Sequence, residues 1–151
     1  AQETDLDYVK PHGALYNTMM KDKAVLVAIL KAMSGLQSAF SASLPLMVLA
    51  NSQAGNIAEL AGQFGVSLIY EAFCDRAYAD DGSLVPRTAK NSVLRTDEEI
   101  EARIKGLVKN NEIITVSGKA LSIYADTVCV HGDHPEALES VKKVRQFIDN
   151  A

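Results

Sequence analysis

Four short apolar runs, at residues 8–10, 44–50, 67–73 and 127–131, alternate with segments of helical periodicity, and this alternation restricts the fold more than any other feature of the chain. A strand buried on both faces of a parallel sheet reads as an unbroken apolar run, and the crossover between two such strands is usually a helix. The pattern therefore predicts βαβ units and an α/β fold with a parallel sheet. Val25, Ile29, Met33 and Leu36 mark a first helix and its core side, and a second helix covers residues 55–64. Thr96-Asp97-Glu98-Glu99 is a capping box that opens a third, with Ile100, Ile104, Leu107 and Val108 on the inner face. Asp133 or His134 caps a fourth, in which Pro135 takes the first helical position and Leu138, Val141, Val144 and Ile148 line the core side. One hairpin interrupts the rhythm: residues 112–116 and 120–124 flank Ser117-Gly118-Lys119.

With 151 residues, 48% of them hydrophobic, the chain is expected to form a single domain over 1–151 with an ample core. A (β/α) barrel needs at least ~200 residues, and four parallel strands cannot close a ring. In a barrel-like architecture this chain is therefore a part, with open edges at 8–10 and 127–131 that a partner segment or a second subunit covers. The net charge of −4 and the lack of a basic stripe make nucleic acid and anionic membrane poor partners. The longest apolar window, 24–32, is interrupted by Lys31 and is too short to cross a bilayer. Ala1 is not an initiator methionine, and the acidic, polar Gln2-Glu3-Thr4-Asp5 is unlike a signal peptide, so an internal or processed start is expected. Cys74 and Cys129 sit in apolar runs, which suits reduced, packed thiols in a cytoplasmic protein.

Two of the runs end alike. Tyr8-Val9-Lys10-Pro11 leads into His12-Gly13, and Val128-Cys129-Val130 leads into His131-Gly132-Asp133. In parallel α/β folds reactive groups collect where strands end, and glycine lets the backbone take positive φ or approach a ligand closely. Histidine titrates near neutral pH, so His12 and His131 are candidate proton carriers, although a lone histidine is commonly a structural hydrogen-bonding residue. Asp133 is either a general base or a helix cap. Glu71 and Asp75 flank Phe73 at a strand end, where a closed apolar setting tunes carboxylates into acid and base; the plainer reading is a solvated loop edge. Arg76 and Arg87 suit a carboxylate or phosphate because the guanidinium fork grips two oxygens, while Asp75 with Arg76 reads equally as an ion pair that holds the loop running to Arg87. Lys10 offers a point charge to a ligand or simply points to solvent.

Asn51-Ser52-Gln53 reads first as a helix cap, and Asp80-Asp81-Gly82 first as a turn. No phosphate-binding glycine loop of the Gly-x-x-x-x-Gly-Lys-Ser/Thr type, no Gly-x-Ser-x-Gly elbow and no His-Glu-x-x-His helix is present. The His-x-Asp at 131–133 lacks a second ligand at fixed spacing, and no metal site is predicted.

Val9-Lys10-Pro11-His12-Gly13-Ala14-Leu15-Tyr16-Asn17, Glu71-Ala72-Phe73-Cys74-Asp75-Arg76-Ala77-Tyr78, Gly82-Ser83-Leu84-Val85-Pro86-Arg87 and Cys129-Val130-His131-Gly132-Asp133 together resemble the LamB/YcsF family, in that family's order and across nearly the whole chain. The departures are local: Cys74 replaces a small residue, which argues against a nucleophilic role, and His134 stands where threonine is common. The family's N-terminal blocks have no counterpart here, so the match is to its C-terminal portion only. The resemblance implies part of a (β/α) barrel of the deacetylase and glycoside hydrolase kind, seven-stranded in the family. It implies a subunit of an ATP-dependent 5-oxoprolinase that opens 5-oxoproline or a related lactam to glutamate, with ATP, with or without Mg, as cofactor. Other 5-oxoprolinase subunits, and the remaining N-terminal segment or a second copy of the chain, are the implied partners. His12, His131, Asp133, Glu71 and Asp75 are the candidate catalytic residues, and Lys10, Gly13, Arg76 and Arg87 the candidate substrate or phosphate ligands. Two other readings stay open: a metal-dependent deacetylase-like hydrolase, and a noncatalytic half-barrel that serves assembly.

Overall fold

The computed structural model describes residues 6–40, 43–131 and 137–150. Its contacts group into two compact units, Ala1–Leu49 with Gln53–Tyr70 and Ala50–Ser52 with Glu71–Ala151.

The first unit holds α1 (Gly13–Met19), α2 (Lys23–Phe40), β1 (Leu46–Leu49), α3 (Ala54–Gly62) and the opening residues of β2 (Leu68–Phe73). Asp22 starts α2: its carboxylate oxygen accepts the Ala24 N–H at 2.8 Å and the Val25 N–H at 3.4 Å, pairing donors that the first helical turn leaves unmatched. The buried stripe of α2 is Leu26, Leu30 and Met33. The stripe expected from Val25, Ile29 and Leu36 is turned by one residue, and Leu36 stands exposed. Residues 25–30 are apolar almost all round, so both stripes fit the helical period and packing alone selects between them. All four residues of β1 are buried, as an unbroken apolar run requires.

The expected strand at 8–10 shrinks to a single parallel bridge between Val9 and Leu46. Val9 receives the Met47 N–H and donates its own to the Pro45 carbonyl, both at 2.9 Å. Pro11 has no N–H to continue the ladder. The short helix α1, which periodicity did not signal, follows at once and buries Tyr16 and Met19. Gln53, the residue before α3, makes no side-chain capping bond, and its Oε1 accepts Asn56 Nδ2 at 2.7 Å.

The second unit holds the end of β2, α4 (Asp97–Asn110), β3 (Glu112–Ile114), β4 (Ala120–Ser122), β5 (Thr127–Cys129) and α5 (Ala137–Asp149). β2 and β5 pair in parallel, with Glu71 opposite Thr127 and Phe73 opposite Cys129. The sheet order is β1-β2-β5, and β3 with β4 forms the expected separate antiparallel hairpin. The fold is thus mixed α/β with parallel strands and, among the described residues, five helices.

The capping box of α4 is present in full: Thr96 Oγ1 accepts the Glu99 N–H at 3.2 Å, and Glu99 Oε2 accepts the Thr96 N–H at 3.1 Å. Asn111 ends the helix in the left-handed region at φ 50°. Gly106 lets β3 approach, since a Cβ there would lie 2.8 Å from the Glu112 carbonyl oxygen. The core of this unit is Cys74, Ile104 and Val144, with Ile100, Val128, Val130, Phe147 and Ile148 packed against it. Val108 and Val141, expected on the core side, are exposed because each lies to one side of the narrow stripe that α4 and α5 bury. The cap proposed for the last helix at 133–135 lies outside the described residues.

Candidate active site

Parallel register builds the central feature of the second unit. Phe73 is opposite Cys129, and Cys74 N–H donates to the Cys129 carbonyl at 3.2 Å, so Asp75 and His131 each lie two residues beyond a matched pair. Side chains two apart in a strand share a face. Asp75 Oδ2 and His131 Nδ1 meet at 2.7 Å, and the His131 ring stacks on Phe73 with centroids 5.5 Å apart and planes inclined by 24°. The pair is largely sheltered, with 23% of the His131 side chain and 15% of the Asp75 side chain exposed. An ionised carboxylate only accepts, so Nδ1 carries the proton and, in the neutral ring, Nε2 is the basic nitrogen. Asp75 Oδ1 is buried with no hydrogen-bond donor among the described residues.

Arg76, next in sequence, does not hold its loop through Asp75. Its Nη2 donates to the Val85 carbonyl at 2.6 Å and its Nε to the Ser92 carbonyl at 3.3 Å. The expected ion pair is replaced by main-chain bonds, which fasten both limbs of the loop that carries Arg87. Burial, then the nearby Arg87, pulls Arg76 below the ordinary arginine value. The turn reading at 80–82 holds: Gly82 has φ +83° and Asp81 Oδ1 accepts the Ser83 N–H at 2.9 Å. Asp80 accepts from Thr115 Oγ1 at 2.6 Å and Ser117 Oγ at 2.7 Å and ties that turn to the hairpin.

A cavity of about 600 Å³ opens beside the pair, and Asp75, His131, Arg76 and Arg87 all line it. Four predicted residues are therefore brought together. α4 and α5 complete the wall with Asp97, Glu139 and Lys143, none of which the sequence singled out as a site residue; Lys143 Nζ binds Asp97 at 2.6 Å. Asp97 and Lys143 are 46 positions apart and carry no local signal. Glu71 is buried at 3% exposure and is not part of this cavity wall. Cys74 also borders the cavity, but burial, reinforced by Asp75, pushes its thiol up to about 12, so it is not a thiolate nucleophile. Among the described residues no three His, Cys, Asp or Glu side chains gather to hold a metal ion. Asp133 lies outside the described residues.

In the first unit His12 is exposed at the N-terminus of α1 and makes no side-chain capping bond. Gly13 has the positive φ expected of it, +58°, with open space around it. Lys10 Nζ lies 5.8 Å from the Tyr16 ring centroid, within cation–π reach.

The pattern of the LamB/YcsF family matches residues 1–151. The chain belongs to this family. It is 43% identical over 148 residues to the A subunit of a 5-oxoprolinase from Vibrio campbellii, covering 98% of this chain and 57% of that relative. The A subunit of a 5-oxoprolinase from Pyrococcus abyssi is 38% identical over 149 residues, covering 99% of this chain and 56% of the relative. The crystal structure of a lactam utilization protein from Thermus thermophilus superposes with a TM-score of 0.77 at 32% identity, over 97% of this chain and 55% of that one. The chain thus spans a little over half the length of these relatives. No described helix is long and apolar enough to cross a membrane.

Proposed function

We propose that this chain is the catalytic-site portion of the A subunit of a 5-oxoprolinase, which works with other subunits to open 5-oxoproline to glutamate in a reaction coupled to ATP hydrolysis, and that its sheet is a segment of a (β/α) barrel. The observation that carries the reading is the 2.7 Å contact between Asp75 and His131 in the wall of a cavity that also holds Arg76 and Arg87. The family membership and the names of the relatives support the substrate.

A five-membered lactam is a resonance-stabilised amide, so ring opening needs an activated oxygen, an attacking water and a proton for the departing nitrogen. ATP, with or without magnesium, would supply the activation by transferring its terminal phosphoryl group to the amide oxygen. His131 does the proton work. Asp75 holds its Nδ1–H, which leaves Nε2 to take a proton from the attacking water and return it to the ring nitrogen as the C–N bond breaks. That step leaves an acyl phosphate, which a second water would hydrolyse to glutamate and phosphate. Asp75 also offsets the charge of the imidazolium formed between the two transfers. Arg87, exposed at the cavity, pairs with the substrate carboxylate or a phosphate, and Arg76 adds a fixed positive charge to the wall. Glu71, Asp133, Lys10 and Gly13 stay in the proposal as further site residues on their sequence positions, with His12 a lesser contributor than His131.

The test follows glutamate release from 5-oxoproline by the full-length protein with its candidate partner subunits, with and without ATP. Asp75→Asn is expected to lower kcat by roughly 10²-fold or more with KM little changed. Glutamate release that does not depend on ATP, or an unaffected Asp75→Asn enzyme, overturns the reading.

A further inference from the structure

Arg103 lies inside α4, in a helix whose charged residues are otherwise surface residues, and yet is only 7% exposed. A buried guanidinium must find oxygen acceptors, and these are all main-chain carbonyls. Nη1 donates to the Arg76 carbonyl at 3.0 Å and to the Phe73 carbonyl at 3.3 Å, and Nη2 donates to the Ile114 carbonyl at 3.1 Å. The guanidinium carbon sits 5.2 Å from the centroid of the Tyr78 ring, a cation–π distance. Desolvation pulls Arg103 below the ordinary arginine value, and burial pushes Tyr78 up to about 12, so the phenol beneath it stays neutral.

The first two carbonyls bracket Asp75. Phe73 stands two residues before it and Arg76 one after, so a single nitrogen pins both ends of the segment from which the carboxylate projects. Phe73 is held a second time, its N–H donating to Tyr78 Oη at 2.9 Å. Its ring is the surface on which His131 stacks. The Arg103–Tyr78 unit therefore fixes the main chain behind both contacts that orient His131: the carboxylate on Nδ1 and the ring against the imidazole face.

We propose that Arg103, seated on Tyr78, is a positioning residue that sets the Asp75–His131 geometry by clamping the main chain on either side of Asp75. It touches no reacting atom and acts through Asp75 and Phe73. Lysine is no substitute, because one ammonium cannot reach carbonyls on β2, on the following loop and on β3 while lying flat against a ring. The proposal rests on the functional reading for its catalytic meaning, but the geometry it asserts has its own readout.

That readout is the downfield imidazole Nδ1–H resonance of His131, assigned by its loss in His131→Gln and recorded on the full chain. The expected result is that Arg103→Met and Arg103→Lys lose this resonance as Asp75→Asn does, while Thr96→Ala, which loosens the same helix at its end, retains it. Folding of each variant is checked by circular dichroism. Should Arg103→Met fail to fold, Arg103→Lys, which keeps the charge and the stem, carries the test. A folded Arg103 variant that keeps the resonance overturns the proposal and leaves Arg103 with a purely structural role. In the glutamate assay the folded variant should lose at least tenfold in kcat, with KM within about twofold. A protein that keeps the Arg103-dependent resonance pattern yet releases no ATP-dependent glutamate refutes the functional reading and leaves the clamp intact.

Discussion

His12 and His131 each follow a short apolar run and precede a glycine, but they meet different surroundings. His12 is exposed at the start of a seven-residue helix, behind a run that pairs through the single residue Val9. His131 leaves a strand whose parallel neighbour reaches a carboxylate at the same level, and its ring rests on Phe73. The lesson is that a strand ending in His-Gly marks only a location. What sets His131 apart is the register of the neighbouring strand, which places Asp75 opposite it, and the proposed proton transfer rests on that contact.

The largest expected effect sets the two corners against each other. In the glutamate assay His131→Ala should cost about 10² to 10⁴-fold in turnover, the usual range for a lost acid–base group, and His12→Ala should stay below the bottom of that range. Equal losses would restore a symmetric role for the two corners and break the comparison.

Glycine sharpens it next. Gly106 is required for space and Gly13 for its backbone angle, so alanine should fail for different reasons in the two units. Gly106→Ala forces a methyl against the Glu112 carbonyl and is expected to cost about 1–3 kcal/mol in urea unfolding. Gly13→Ala meets no neighbour, and its cost should be about 1 kcal/mol from the left-handed conformation alone. A neutral Gly106→Ala would show that α4 and β3 part easily.

The smallest effect concerns helix starts. Thr96→Ala should remove about 1 kcal/mol. The Arg95 and Thr96 N–H groups hold the Glu99 carboxyl below the usual carboxylate range. A depressed carboxylate stabilises the fold above its unfolded value, near pH ~4, and that contribution fades as pH falls through the lower folded value. Glu99→Gln should therefore flatten part of the acid limb of the stability profile and change little at neutral pH. An unchanged acid limb would mean that the box carries no proton linkage.

Strand alternation, the hairpin and the α4 capping box were legible because each depends on neighbours in sequence. The stripe of α2 was not, because Val25 and Leu26 satisfy the same period and only tertiary packing separates them. The cavity was half legible. Asp75, Arg76, Arg87 and His131 stand at strand ends or in the loop after one, whereas Asp97 and Lys143 enter through the packing of two helices distant in sequence. Arg103 was invisible for a related reason: in the sequence it reads as one more charge on a charged helix, and burial alone reveals it.

The thiol of Cys74 gives the second unit a clock of its own. Disulfide exchange needs a thiolate that a reagent can reach, and this sulfur, in a residue fully buried although it borders the cavity and pushed up to about 12, offers neither while the strand end is closed. Its labelling rate in a Cys129→Ser background therefore counts the moments when the floor beneath Asp75 opens, so the breathing of this region can be timed without adding a probe.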